Sequence, residues 1–447
     1  MTISCLWIFC LFTGLSAYRS VASLREKAEH ESRAQWLTQD RKHPHIAAHF
    51  GNFAFKQVNP LSIFDSGTDE FTGSYVYMEA HRQNDVLFSP AQSGSALVRF
   101  GTLNAALLLQ VIVPLLLILL TFNTILQERL NGTLVIIKSS GISSRRIVVG
   151  KIAAPLLLAA VTLAVLHLSS IFLLQLLHVR FGLQDLIKLV WIYWCYMGYY
   201  LIITTLGVYV SAFSETLKGS LTVLLGGWIM VCILTPKIVA NLASAIYPLP
   251  SNTQFKEAVM KDIVNGIDGH NTSNKRAQDY TREILKKYGV DSTSQLPVNI
   301  EGLIMLEGEK YSSKVYNDHF DVLTGTLLHQ QKLFAYSSLI DPLLAVKNLS
   351  MGLSNTDYFN DRNFRLDAEK YRMVFVQTMN EDMVLHSKED GFTTYKIGKE
   401  LFKKIPAFVF RPQPAWPSLR NYGMEVSCLL LLMLAATLLV NRIAYKL

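Results

Sequence analysis

Residues 103–126 read LNAALLLQVIVPLLLILLTFNTIL, and residues 127–151 read QERLNGTLVIIKSSGISSRRIVVGK. The first run contains no charged side chain, and about 20 apolar residues in a helix suffice to cross the hydrocarbon of a bilayer. The second run brings charge back at once: Glu128 against Arg129, Lys138, Arg145, Arg146 and Lys151. A span that ends in a basic loop and leads into another apolar block at residues 152–177 reads as a helical pair in a membrane, with the loop on the cytoplasmic side.

The rest of the chain repeats the pattern. Further apolar blocks occupy residues 1–16, 186–213, 221–242 and 424–444, and all but the first have ample length. Residues 1–16 end in Ser16-Ala17, a weak cleavage-like site, but lack the basic start of a signal peptide. A retained span is therefore expected. Only 17% of the 447 residues are charged, against about 25% in soluble domains. The net charge of +8 fits the basic bias of membrane loops, and no Arg-rich groove with interleaved aromatics suggests nucleic acid. All five cysteines lie in apolar blocks, so neither a disulfide framework nor a CxxC site is expected.

These readings give an all-α integral membrane protein with six transmembrane helices and a mainly helical extracytoplasmic domain. The expected organisation is a first helix at 1–18 and an extracytoplasmic segment at 19–100. A four-helix membrane block follows at 101–242, containing the loop 127–151, then a large helical extracytoplasmic domain at 243–422. A sixth helix with a short tail closes the chain at 423–447. Both termini are then cytoplasmic. Within the large domain Ser251 is placed to cap a helix through Phe255, Val259 and Ile263, and residues 280–288 continue in the same style. Apolar residues at helical spacing from Ile300 to Leu327 predict one long helix over 299–333, and a further helix is predicted over 364–386. Residues 408–417, rich in proline and aromatics, are expected to be extended.

Taken bare, the loop is a charged exit from one span, a short amphipathic helix, a turn at Gly141, and a Ser-capped basic start to the next span. Such an element is stiff enough to carry a push from a cytosolic partner into the membrane. A purely topological basic loop is the plainer alternative. The residues go further. Glu128, Arg129, Gly132, Thr133 and Leu134, then Gly141, Ser143, Arg145 and Arg146, then Gly150 and Lys151, resemble the coupling segment of the type 2 ABC transporter permease family. Leu130 stands where that family usually has a second acid. The resemblance runs along most of the chain, toward a subgroup with two large extracytoplasmic segments. It is carried in the first by residues 45–51 and by Glu79, His81, Arg82 and Asn84, with His49 in the earlier run. In the second it is carried by residues 342–350, Asp357, Tyr371 and Arg372. Pro236-Lys237 at the end of the fifth span belongs to the same pattern. Relatives usually place a basic segment before the first span; this sequence begins almost inside it.

The resemblance implies a permease subunit in the bacterial cytoplasmic (inner) membrane. It would work with two copies of an ABC ATPase subunit and with a second permease copy or paralogue as homo- or heterodimer. ATP and Mg²⁺ would sit on the ATPase, with no cofactor on this chain. Either export or mechanical work on an extracytoplasmic partner would suit the large outer segments. A sensor or scaffold without transport is the alternative of a different class, although no cytoplasmic output domain is present to serve it. The chain has no catalytic set of its own. A phosphate-binding loop G-x-x-x-x-G-K-S/T is absent, because Gly150-Lys151 has Arg145 in place of the first glycine and Ile152 after it. No HExxH or GxSxG occurs either. His43, His45, His49 and His81 invite a metal reading, with His45 and His49 one helical turn apart and Glu79 or Asp65 as possible further ligands. No closed ligand set is legible, so these are expected to be hydrogen-bonding or surface histidines, and no metal is expected. Lys237 marks either the mouth of a translocation path or simple snorkelling to the interface.

Overall fold

A computed structural model describes residues 2–69, 71–84, 86–87, 104–267, 271, 273–387 and 394–447. The expected boundary between the first outer segment and the membrane block, at 100/101, lies outside the described residues. The chain opens with a long helix α1 (Thr2–Leu37) and a short α2 (Pro44–Phe50), followed by strands β1 (Asn52–Phe55), β2 (Tyr75–Met78) and β3 (Val86–Leu87). The strands form an antiparallel sheet in the order β1-β2-β3, with Asn52 opposite Met78 and Tyr75 opposite Leu87. This sheet departs from the all-α class expected for the chain. Four-residue strands such as NFAF and YVYM carry too little alternation to be recognised before their partners are known.

Among the described residues, five helices are long and apolar enough to cross a membrane: α3 (Ala105–Leu130), α5 (Ser144–Leu176), α6 (Leu183–Phe213), α7 (Leu217–Ile246) and α15 (Gly423–Lys446). The short α4 (Thr133–Ser139) lies between α3 and α5. The helix at the start of the chain is not among the five. The hub is α6, which packs on α3, α5, α7 and α15. Its Tyr196, Tyr199 and Tyr200 are fully enclosed. They meet α3 at a π-helical turn, Leu108–Ile112, which lies two residues ahead of Pro114. Proline has no N–H to give to the carbonyl four residues back, which here is Gln110. That carbonyl instead accepts from the Tyr199 hydroxyl at 3.2 Å, and the neighbouring Leu109 carbonyl accepts from Tyr200 at 3.0 Å. A second π turn, Met230–Leu234, stands in the same relation to Pro236 in α7.

The second polar segment is helical: α8 (Asn252–Ile263), α9 (Lys275–Tyr288), α10 (Ile300–Ser337), α11 (Pro342–Ser354), α12 (Tyr358–His386), α13 (Lys399–Lys404) and α14 (Ala415–Asn421). The caps explain the starts. Ser251 and Gln254 form a reciprocal capping box on α8, and Asn299 accepts from Gly302 N at 3.2 Å to open α10. At 38 residues α10 is about 57 Å long. Helix α12 starts six residues ahead of the predicted 364, at the Asp357 cap. Pro417, expected in an extended run, lies in the first turn of α14, where the missing N–H has no intrahelical partner to lose.

The two polar segments share one core. Trp36 of α1 packs against Phe375 of α12 and Phe402 of α13, with ring centroids at 5.6 and 5.0 Å. Ala47, Ala48 and Met78 complete the same buried cluster. Burying each large apolar side chain contributes about 1.5–3 kcal/mol, so this cluster binds α1 and the sheet to α12 firmly. Below it, Thr68 N donates to Thr356 O at 2.7 Å and Asn59 to Asn355 O at 3.0 Å, tying the first segment to the α11–α12 corner. Helix α11 is buried nearly all round, against α6 and α15, and joins the polar segments to the membrane helices.

Candidate functional site

The segment between α3 and α5 forms a compact clip. The last turn of α3, Leu126–Leu130, is set off from the body of the helix by a turn at 122–125. The buried Ser211 hydroxyl of α6 accepts from Ile125 N at 3.1 Å and Leu126 N at 3.2 Å, supplying acceptors that the interrupted helix lacks. On the other side, Ser220 of α7 donates to Phe122 O at 2.6 Å. Gly132 and Gly141 take φ of 74° and 79°, a region open to glycine at little cost. They bracket α4 and reverse the chain into α5.

Side chains close the clip. Lys151 Nζ donates to Glu128 Oε1 at 2.7 Å, and the Thr133 hydroxyl donates to both the Glu128 carboxylate and, at 3.2 Å, its carbonyl. Arg129 reaches the end of α6, donating to Ala212 O at 2.9 Å and to Ser214 O, which satisfies carbonyls that a helix terminus leaves open. Leu134 is buried with Ile147, Val148, Val208 and Ile443. The clip is thus anchored on α5, α6 and α15. Its outward face carries exposed Leu130, Val135, Ile136 and Ile142 beside exposed Arg145 and Arg146. Ser143 precedes α5 as predicted but makes no side-chain cap bond. Gly150 is exposed with open space around it, and nothing in the structure requires glycine there. Sequence reasoning missed Ser211 and Ser220, whose role depends on non-local helix packing.

At the opposite end of the bundle the polar segments hold a buried charge network. Arg372 of α12 donates to Glu369 Oε2 at 2.7 Å through Nε and to Glu369 Oε1 at 2.9 Å through Nη2. Through Nη1 it donates to Glu309 Oε2 of α10 and to Glu79 O, at 3.1 and 3.0 Å. Ser313 donates to Glu369 at 2.8 Å. The other oxygen of Glu309 lies 2.9 Å from His81 Nδ1 and also receives the His81 backbone N–H. Burial would raise the Glu309 carboxyl, but the His81 hydrogen bonds and the Arg372 charge hold it below the usual carboxylate range. The same contacts, with Glu369, push the Arg372 guanidinium up against the effect of burial.

His81 takes φ of 66° just after β2, and Ala80 N donates to Ala48 O at 3.1 Å, which lays this turn against α2. Helix α2 is fixed in turn by the Tyr77 hydroxyl, which donates to His49 O and Phe50 O at 3.2 and 2.7 Å. Asn84 donates to Glu79 Oε1 at 3.1 Å and Tyr77 O at 3.0 Å. Glu79 and Arg82 bridge through their backbones. Of the predicted outer residues, His49, Glu79, His81, Arg82, Asn84 and Arg372 therefore come together. Tyr371 turns away, donating to Pro406 O at 2.7 Å. Asp357 caps α12 and accepts from the Tyr422 hydroxyl at 2.5 Å; burial pushes it up to about 6, against these hydrogen bonds. Lys237 is exposed on α7 and Pro236 half-buried, apart from both clusters. Glu309 went unnoticed in the sequence, although it lies four residues after buried Met305, where an acid on a core-facing stripe is a signal.

Residues 252–411 match the family model described as a domain of unknown function (DUF3526). The match begins at the first residue of α8 and ends shortly before α14. No curated protein and no solved structure matches the chain.

Proposed function

We propose that this chain is the membrane-spanning permease subunit of an ATP-driven ABC exporter or mechanotransmission complex, with ATP hydrolysis on a separate chain. The observation that carries the reading is the clip. A rigid turn joins two long apolar helices, is locked internally by Glu128, Thr133 and Lys151, and presents an apolar patch edged with arginine at one end of the bundle. Such a surface suits a cytosolic ATPase. A push on it loads α3 and α5 together, because both are anchored to α6. In this reading α1 is the sixth span, the clip and both termini face the cytoplasm, and the polar segments lie outside the bacterial inner membrane. Helix α7 buries only 11% of its most apolar window within the chain, which fits a second permease copy or paralogue, as well as lipid, along that face. Two ATPase copies complete the assembly, and switching between two packings of the spans transmits the stroke.

The test is a pull-down of tagged chain from gently solubilised native membranes with mass spectrometry of the co-purifying chains. An ATPase with a phosphate-binding loop, near one copy per permease chain, is the expected result. A permease-sized complex with no ATPase would overturn the reading and favour a sensor or scaffold role.

A further inference from the structure

The polar end of the molecule holds three histidines in one place. The nearest ring nitrogens of His45, His49 and His81 lie within 4.8 Å of one another. The ring centroids are 4.5 Å apart for His45–His49, 5.0 Å for His49–His81 and 6.1 Å for His45–His81. Two come from one face of α2 at i and i+4, and the third comes from the turn after β2. His45 is buried, His81 half-buried and His49 exposed, so the cluster opens to solvent on one side.

The geometry points to a binding site for a divalent first-row transition ion of the zinc type, held by His45, His49 and His81 with a fourth position open to solvent. Three features support it. First, the donors are of one kind: imidazole nitrogen suits zinc, copper and nickel, whereas magnesium and calcium require oxygen. Second, the backbone around the cluster is fixed. The Tyr77 hydroxyl and the Ala80–Ala48 bond hold α2 and the His81 turn together. A side chain at Gly51 would run into Met78 O at 2.4 Å, so α2 has to end on a glycine to lie this close to the sheet. Third, His81 has the outer partner that metal-bound histidines generally have. Its Nδ1 lies 2.9 Å from the fully buried Glu309 carboxylate, itself held by Arg372 at 3.1 Å. With the proton on Nδ1, the lone pair of Nε2 is left for an ion.

Metal–nitrogen bonds of about 2.0–2.1 Å in a tetrahedron set the nitrogens about 3.4 Å apart, so closure around an ion needs side-chain shifts of roughly 1 Å. His43 stands outside the set. Its Nδ1 accepts from His45 N at 3.2 Å and caps α2, while its Nε2 meets Ser387 Oγ at 3.2 Å. The absence of metal expected from the sequence thus gives way to a site whose third ligand and outer partner arrive from distant parts of the chain. Nothing in it depends on the transport reading.

The experiment uses the full chain in detergent, purified on a tag without histidine and stripped with chelator. Zn²⁺ uptake is followed by calorimetry and elemental analysis, and Co²⁺ serves as a spectroscopic stand-in. One Zn²⁺ per chain is expected, with Co²⁺ giving the visible bands of a nitrogen-rich four-coordinate site. The exposed His49→Gln should weaken binding at least tenfold without unfolding the chain. Glu309→Gln, which removes the outer carboxylate from His81 and also one of the two carboxylates on Arg372, should weaken it about 10–100-fold. His30→Gln, on an exposed stretch of α1, is the control and should leave binding unchanged. No stoichiometric uptake, or uptake equal in wild type and His49→Gln, would overturn the proposal.

Discussion

Replacing Arg372 with methionine removes one cation from between two buried carboxylates. Glu309 is 0% exposed, Glu369 7% and Arg372 itself 3%. Methionine roughly fills the volume, so the cost comes from charge rather than from a cavity. Removing one partner of a buried ion pair costs about 3–5 kcal/mol, because the other charge is left uncompensated. Hydrogen exchange at the amides of α12 reads that loss locally. At about 1.4 kcal/mol per tenfold, exchange there should quicken by roughly 10²- to 10⁴-fold at neutral pH. The triple change Arg372→Met, Glu309→Gln, Glu369→Gln should recover most of the protection. The pH dependence supplies a sign test. In the wild type Glu309 is held below its ordinary 4.5, so its contribution is present above that value and lost as pH falls through the lowered one. Without Arg372 its share of that lowering is lost while the His81 hydrogen bonds remain, so the variant should lose less stability than the wild type as pH falls through this range. Exchange within threefold of wild type, or a triple variant as labile as the single one, would refute the assignment of this network as a closed charge cluster.

Other consequences are open to direct measurement. On the proposed permease role, Glu128→Gln and the double change Arg145→Ala, Arg146→Ala should each lower ATPase activity of the assembled complex several-fold. Because the Glu128–Lys151 pair is partly exposed, stability should move by less than about 1 kcal/mol; unchanged ATPase activity would remove the clip from the coupling path. Reporter fusions after Leu134 and after Lys310 should fall on opposite sides of the membrane, cytoplasmic and extracytoplasmic respectively, and the reverse pattern would invert the topology. Asp341, which caps α11 by accepting from Leu343 N at 2.9 Å, is pushed by burial up to about 7, against that bond. The wild type should therefore lose stability as pH rises from about 4 to about 7, and Asp341→Asn should flatten that slope in thermal melts; an unchanged slope would place the titration elsewhere.

Much of the helical framework was legible because the signals are local. Ser251 and Gln254 mark the start of α8, and Asn299 with the apolar spacing behind it marks α10. The apolar blocks gave five long helices for the same reason. Helix α11 escaped notice despite Asp341 and Pro342 at its start, because nearly every side is buried and no amphipathic period survives. The sheet escaped because its evidence is the pairing itself. The clip was legible as a segment but not as a lock: Lys151 and Glu128 are 23 residues apart, and their contact depends on the two glycine reversals between them. The histidines show the same limit. Their i, i+4 pair is visible in the sequence, but the third arrives through the β1–β2 pairing and its carboxylate partner from α10, more than 200 residues further on.

The two π turns alter how the spans carrying them should be aligned and engineered. Each adds about one residue to an α-helical period, and in a helix of 3.6 residues per turn one residue is about 100° of rotation. The three residues of α3 ahead of Leu108–Ile112 are therefore out of phase with the body of the helix behind it, as are the two halves of α7 around Met230–Leu234. A side chain that faces α6 above the turn cannot be extrapolated to the same face below it. Deleting a single residue within either turn would not simply shorten the helix; it would swing the part on one side of the turn about the helix axis and change which side chains meet α6. Length variation in these helices is thus a matter of azimuth before it is a matter of span.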